Sequence, residues 1–325
     1  MSKMPARDLG LSANLLIPAS RSHMRSLLDA WVVKSYATDS PEWQAIVRSK
    51  ERQLRKMILR RRLLSAVGLA RPLGRFRTTK KVKLDYNRIW DGEPWPQPVR
   101  MGTAGQKQYL TWDGEGLQVA TGAVAQPHLD RLMHFIDVVS PRNVLEVGCG
   151  AGQNLFALAA ECPKVSFSGL ELSDSGILSA QRAQSLAAYS EKLVAYSPRP
   201  VRDPDAYRRI AFKQGSAVEM PYPDASFDLV FSRLAIEQMN DIKAEVLREI
   251  ARVSRRWIVM IEPFTDFADT PLRHLASIKK DHFREPVSYL GQFGIAPLLT
   301  FADWPQKLDQ GNGLVVAVSP NAQAY

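Results

Sequence analysis

The chain has 325 residues, 43 of them Lys or Arg and 33 Asp or Glu, for a net charge of +10. With 45% hydrophobic residues it can build a sizeable core without disulfide staples. Its two cysteines, Cys149 and Cys162, are too few for a disulfide framework or a zinc site, and no run of about 18 apolar residues suits a membrane-spanning helix. A reducing, cytoplasmic setting is expected, with no metal. Residues 1–8 lack a charged head followed by a clean apolar run, so no secretory leader is expected.

Along the chain, an apolar patch from Met24 to Val33 predicts a short helix within a mixed opening of 40 residues. Ser40-Pro41 is a helix-start signal. From residue 42 to 69, Trp43, Ile46, Val47, Leu54, Met57, Ile58, Leu63, Leu64 and Val67 recur at helical spacing, with Arg and Lys between them. Charge is concentrated here: residues 48–83 hold 14 Lys/Arg and a single acid, Glu51, whereas residues 84–325 are mildly acidic. Residues 70–83 combine turn-formers with repelling charges and read as an irregular basic linker. Residues 84–127 are rich in aromatics (Tyr86, Trp90, Trp95, Tyr109, Trp112), Pro and Gly, which suits a cap or linker.

A helix over 126–139 then opens a regular alternation. Strands are predicted at 143–147, 165–171, 210–214, 227–232, 257–262 and 313–319. Helices are predicted at 153–161, 174–189, 241–253 and 271–283. Strands alternating with helices make an α/β fold with a parallel sheet covered on both faces. Three regions follow: a basic, largely helical extension (1–84), an aromatic and proline-rich cap or linker (85–127), and an α/β domain (128–325).

The strongest local signal is Val144-Leu-Glu-Val-Gly-Cys-Gly-Ala-Gly-Gln-Asn154. A buried strand ends, glycines turn the backbone tightly, and a helix N-terminus offers unpaired N–H groups to a polar ligand. A glycine loop alone also serves dinucleotides. Glu146, two residues before the first glycine, suits a cationic ligand rather than a pyrophosphate. Glu171 ends the second strand, where a carboxylate accepts both hydroxyls of a ribose.

Residues 143–262 thereby resemble the class I S-adenosylmethionine-dependent methyltransferases, in particular the type 11 subgroup. The resemblance implies a Rossmann-like, seven-stranded, mostly parallel sheet and S-adenosyl-L-methionine as cofactor. It implies cofactor contacts at Glu146, Gly148, Gly150, Gly152, Glu171, Leu172, Ser216, Ala217 and Arg233. The family's Gly-Asp-Ala after strand three is Gly215-Ser216-Ala217 here, so the adenine amine meets a hydroxyl, or Glu219 substitutes for the missing acid. The run Met220-Pro-Tyr-Pro-Asp-Ala-Ser-Phe-Asp-Leu-Val230 fits the subgroup closely.

The resemblance places the acceptor pocket on the loops after strands four and five. His282 beside Asp281, His274, and the strand-terminal Glu262 are the candidate catalytic groups, since an oriented histidine is a base near neutral pH. No Asn-Pro-Pro-Tyr or Pro-Cys signature of nucleic-acid base methylation is present. The expected function is methyl transfer to a small-molecule, saccharide or lipid-linked acceptor, most readily at oxygen. The alternatives are an RNA methyltransferase holding its substrate through the basic segment, and a degenerate cofactor-binding protein acting through partners. Residues 42–83 suit packing, an anionic membrane surface or RNA.

Overall fold

Two sheets of different kinds organise the chain. The computed structural model describes residues 20–70, 72–73, 77–91 and 107–322. Trp95 lies outside the described residues.

Helix α1 (Arg21–Leu28) is capped by Ser20 and leads into strand β1 (Val32–Ala37). Helix α2 (Pro41–Ala66) starts as its sequence predicts: the Ser40 hydroxyl accepts from Trp43 N and Pro41 fills the first helical position. Helix α3 (Thr79–Trp90) follows, with Thr78 accepting from Lys81 N. The irregular linker expected through residue 83 therefore ends at the Thr78 cap, and its last lysines are helical. Strands β2 (Lys107–Trp112) and β3 (Glu115–Ala120) form a hairpin. Its two-residue turn, Asp113-Gly114, has both φ values positive, as a tight hairpin turn requires.

The alternating part is close to expectation. It runs α4 (Ala125–Val139), β4 (Asn143–Val147), α5 (Gln153–Glu161), β5 (Ser166–Glu171), α6 (Asp174–Gln184), α7 (Glu191–Tyr196), β6 (Ala211–Gln214) and β7 (Phe227–Arg233). It continues with α8 (Lys243–Val253), β8 (Ser254–Glu262), α9 (Pro271–Lys280), β9 (Ala296–Phe301), β10 (Gln306–Lys307) and β11 (Gly313–Val318). The large sheet has seven strands in the order β6-β5-β4-β7-β8-β11-β9. Its first five strands are mutually parallel, and β11 runs antiparallel to both β8 and β9. This is a Rossmann-like α/β fold.

The middles of β7, β8 and β11 are uninterrupted apolar runs because successive side chains feed two cores. Leu229 and Phe231, Val259 and Ile261, and Leu314 and Val316 pack on one face. Val230, Ile258, Met260 and Val315 pack on the other, against Val246, Leu247 and Ile250 of α8.

The second sheet is antiparallel, in the order β1-β3-β2-β10. Its last strand comes from late in the chain, with Gln306 opposite Thr111 and Lys307 opposite Leu110. The buried Arg273 of α9 reinforces the join by donating to Thr111 Oγ1 (2.8 Å) and Lys307 O (3.0 Å). Trp43 and Leu54 of α2 share a core cluster with Leu272 and Ala276 of α9.

Candidate functional site

Strand order reverses at β4, which has β5 on one side and β7 on the other. In open α/β sheets ligands bind beyond the carboxyl ends of the strands at such a point. A cavity of about 220 Å³ lies there. Gly148 and Gly150 after β4, Glu171 and Leu172 after β5, Ser216 and Ala217 after β6, and Arg233 of β7 all line it.

The loop after β4 is held by its neighbours. Gly148 N and Cys149 N donate to Leu170 O at 2.8 and 3.1 Å. Gly148 has φ +75°, and a Cβ there would sit 2.6 Å from the Ala235 Cβ. Gly150 has φ +55°, and a Cβ there would sit 2.5 Å from the Trp90 ring. Both positions need glycine for conformation and for space. Gly152 caps α5 and faces Phe212, so it shapes the turn without lining the cavity.

Glu171 is the anchor of the cradle. Its Oε2 accepts from Gly150 N (2.9 Å), and its Oε1 accepts from Ser173 N and Ser173 Oγ (2.8 and 2.6 Å). The carboxylate is thus fixed at the cavity wall with lone pairs left for hydroxyl donors.

Glu146 lies one layer deeper. Its Oε1 accepts from Asn154 Nδ2 (2.6 Å), and its Oε2 is buried without a partner. Burial pushes its carboxyl up to about 8, opposed by the Asn154 hydrogen bond and the Arg233 charge. Asn154 Oδ1 in turn accepts from Tyr196 Oη (3.0 Å) and Arg233 (3.4 Å). Asn154 and Arg233 therefore carry the influence of Glu146 to the cavity surface.

The cavity has a roof. Thr79, Val82, Tyr86 and Trp90 form one face of α3 and line the cavity from above. The volume is below the roughly 300–1,000 Å³ usual for ligand sites, because the Trp90 ring sits on the glycine loop. Contacts of α3 with α6 are mostly polar: Lys83 to Asp174 (3.0 Å), Ser175 Oγ to Asp91 (2.7 Å) and Ser179 Oγ to Trp90 O (2.9 Å). None of the residues of α3 is fully buried.

Residues 145–257 match the family model described as a methyltransferase domain. These residues belong to the class I S-adenosylmethionine-dependent methyltransferases. The chain is 27% identical over 194 residues to ajmaline N-methyltransferase of Rauvolfia serpentina, covering 55% of this chain and 60% of that protein. It is 30% identical over 146 residues to 27-O-demethylrifamycin SV methyltransferase of Amycolatopsis mediterranei (strain S699), covering 44% and 45%. The chain thus spans about half the length of the curated relatives it matches. Among solved structures, the [4+2]-cyclase SpnF aligns with a TM-score of 0.50 at 16% identity, covering 75% of this chain and 96% of that one. That likeness concerns the fold alone.

The cradle of the methyltransferase domain fits S-adenosylmethionine by its donor set. The Glu171 carboxylate suits ribose hydroxyls, the Arg233 guanidinium suits the amino-acid carboxylate, and the buried acid Glu146 suits a cationic ligand. Ser216 lines the cavity and accepts from Val218 N (3.4 Å), whereas Glu219 is exposed and does not line it.

The acceptor-side candidates separate in space. Glu262 accepts from Ala235 N, Ile236 N and Glu237 N at 3.0, 3.1 and 3.1 Å, and is fully buried. Burial raises its carboxyl to about 8 against those N–H donors. Its oxygens cap the 3₁₀ turn Ile236–Gln238 and do not line the cavity, so the structure gives it a positioning role. Glu262→Gln keeps one acceptor and sets an amide against a backbone N–H, which is expected to cost about 2 kcal/mol in urea unfolding. Its S-adenosylhomocysteine affinity should stay within about threefold of wild type. A rate loss with unchanged stability would contradict this.

His274 is exposed on α9 and does not line the cavity, which corrects its assignment as a candidate base. His282 lies one side chain behind the lining: its Nε2 is 3.5 Å from Gln238 Nε2, and Gln238 faces the cavity. The His282 Nδ1 is 3.6 Å from Glu237 Oε2. Burial lowers the imidazole to about 4, opposed by the Glu237 charge, so the ring is neutral at pH 7. Glu237 also accepts from Gln238 Nε2 (2.5 Å) and Gln310 Nε2. Glu237 and Gln238 follow β7, where the sequence places the acceptor pocket, whereas Gln310, which the sequence did not nominate, reaches Glu237 only through the fold of the segment after β10.

Proposed function

We propose that the protein transfers a methyl group from S-adenosylmethionine to a hydroxyl of a small-molecule, saccharide or lipid-linked acceptor. One observation carries the reading: the Glu171 carboxylate, bonded to Gly150 N at the strand-order reversal, faces a cavity that runs beneath α3 to Gln238. The bound cofactor supplies an activated methyl on a sulfonium, so the chain's own residues bind, orient and exclude water. Glu171 takes the ribose hydroxyls, Ser216 the adenine amine and Arg233 the carboxylate. Trp90 and Tyr86 cover the cradle and keep water out.

The relatives are named for an N-methylation and for a 27-O-demethyl substrate, so both atoms occur among them. The Glu237–His282 pair behind Gln238 favours oxygen here, because a hydroxyl must release a proton and an amine need only arrive unprotonated. His282→Ala is expected to lower kcat by about a hundredfold, with S-adenosylhomocysteine affinity unchanged. An unchanged kcat would remove the base from this reading.

The direct test incubates the protein with S-adenosylmethionine and panels of phenolic, glycosidic and lipid-linked alcohols. Acceptor-dependent release of S-adenosylhomocysteine is the expected result. Turnover on amines or RNA alone would overturn the oxygen assignment, and cofactor binding without any turnover would favour a binding protein.

Glu146 adds a pH signature. Its carboxyl is raised from 4.5 to about 8 in the folded chain. The unfolded chain therefore releases this proton first, and the stability contribution falls as pH climbs from about 4.5 to about 8, then levels. A ligand ammonium group prefers the ionised carboxyl, so the Kd for S-adenosylhomocysteine should fall by roughly tenfold between about pH 6.5 and 8. Isothermal titration across that range checks it. Glu146→Gln should flatten the profile, and a profile identical to wild type would refute the assignment.

A further inference from the structure

We propose that the outer faces of α2 and α3 dock the protein on an anionic lipid bilayer, with the roof of the cofactor cavity turned toward the membrane. That the cavity takes a cofactor rests on the proposed methyl transfer; the docking itself stands on the surface.

Helix α2 is apolar on two opposite faces. Trp43, Leu54 and Ile58 form its buried row, and Trp43 and Leu54 pack in the core cluster shared with α9. A second row, Leu59, Leu63 and the C-cap Val67, repeats every fourth residue on the far side of the helix and is 58%, 61% and 67% exposed. Cations flank this row on both sides. Arg60 lies on one edge and Arg48, Arg55 and Arg62 on the other, while Arg52 and Lys56 continue the line of the row toward the start of the helix; all six are exposed. Arg55 is paired with Glu51 (2.6 Å), but Arg48, Lys56, Arg60 and Arg62 have no acidic partner among the described residues.

Helix α3 has the same two-sided construction. Val82, Tyr86 and Trp90 line the cavity, whereas Leu84, on the opposite face, is 50% exposed between the exposed Lys80 and Arg88, and Ile89 near the helix end is 54% exposed. Among the described residues, seven of the thirteen exposed large hydrophobic side chains lie from Met57 to Ile89. Scattered exposed apolar side chains are ordinary; a periodic row edged with unpaired cations is a binding surface.

The composition of the surface selects the occupant. An RNA backbone would use the cations but leave three aliphatic side chains in water, and the aromatics of this region, Tyr86 and Trp90, face inward where they cannot stack on bases. A second copy would bring two segments, each with 14 cations and one acid, face to face. An anionic bilayer satisfies both features: its headgroups neutralise the cations, and its acyl boundary takes Leu59, Leu63 and Val67. No helix among the described residues is long and apolar enough to cross a membrane, so the contact is peripheral.

Flotation of the full chain with phosphatidylcholine vesicles, with and without about one third phosphatidylglycerol, tests the proposal. The protein should float with the anionic vesicles and stay behind with the neutral ones. The double substitution L63E and V67E, at exposed positions, should cut the floated fraction by about tenfold or more while leaving S-adenosylhomocysteine affinity unaltered in solution. Flotation of that variant at wild-type level would overturn the proposal, as would no wild-type flotation with anionic lipid. Tight binding of a homopolymeric RNA that tolerates L63E and V67E, in protein that does not float, would assign the surface to nucleic acid instead. A dimer dissolved by the same variant, again without flotation, would assign it to a second copy. Failure of S-adenosylhomocysteine binding in otherwise floating protein would refute the cofactor reading and leave the docking intact.

Discussion

Gly148→Val is expected to abolish S-adenosylhomocysteine binding and to lower the unfolding temperature by about 10 °C. Two costs combine. Gly148 has φ +75°, a region that costs an L-residue about 1–2 kcal/mol and a β-branched one more. The new Cβ would also stand 2.6 Å from the Ala235 Cβ, and overpacking of that kind costs about 1–3 kcal/mol. Relief requires the loop to move, yet Gly148 N and Cys149 N are bonded to Leu170 O, and Ala235 N is bonded to Glu262. Any movement therefore disturbs both walls of the cradle at once. Titration calorimetry and thermal unfolding read the two effects separately. Affinity within about threefold of wild type would mean that the ligand binds elsewhere.

Glu171→Ala is expected to weaken S-adenosylhomocysteine binding by more than about a hundredfold. A hydrogen bond to a charged acceptor contributes about 1.5–3 kcal/mol, and loss of two ribose bonds gives about 3 kcal/mol or more. The substitution also frees Gly150 N, Ser173 N and Ser173 Oγ, all of which the carboxylate now holds. Glu171→Gln retains one acceptor oxygen and should fall between, at about tenfold. The order wild type, Gln, Ala is the diagnostic result. Equal affinity in all three would remove Glu171 from the site.

The cofactor half of the site was readable because its signals are local. The loop after β4 carries its glycines, its acid and its helix start within eleven consecutive residues, and β4 and α5 begin and end where the apolar pattern places them. The middles of β7, β8 and β11 were equally plain, since side chains alternating between two cores make uninterrupted apolar runs there. Strands β1, β9 and β10 were missed for the opposite reason, and the hairpin β2–β3 because its segment read as an aromatic and proline-rich cap or linker. Much of β1 and β9 is exposed, and β10 is two residues long; β1 and β10 are also defined by partners far along the chain.

Helix α3 was half visible. Lys80, Lys81 and Lys83 drew attention to charge, while the row Val82, Tyr86, Trp90 at four-residue spacing carried the structural message. The acceptor side was the least legible. His282 and His274 look alike in sequence, but only the end of α9 turns toward Gln238 and Glu237. That difference depends on a turn capped by Glu262, a contact between residues about 25 apart that no spacing rule announces.

The pairing of β10 with β2 has a consequence for synthesis. Gln306 and Thr111 are about 195 residues apart, so the smaller sheet cannot be completed until the β10 segment has left the ribosome. The hairpin β2–β3 must wait with one edge open, and the strongly basic helix before it waits without the α9 surface that shelters Trp43 and Leu54. These early segments therefore mature only after β10 has been made. A version shortened at its start would leave α9 and the β10 segment with their apolar and hydrogen-bonding faces uncovered, a recipe for self-association rather than a minimal domain.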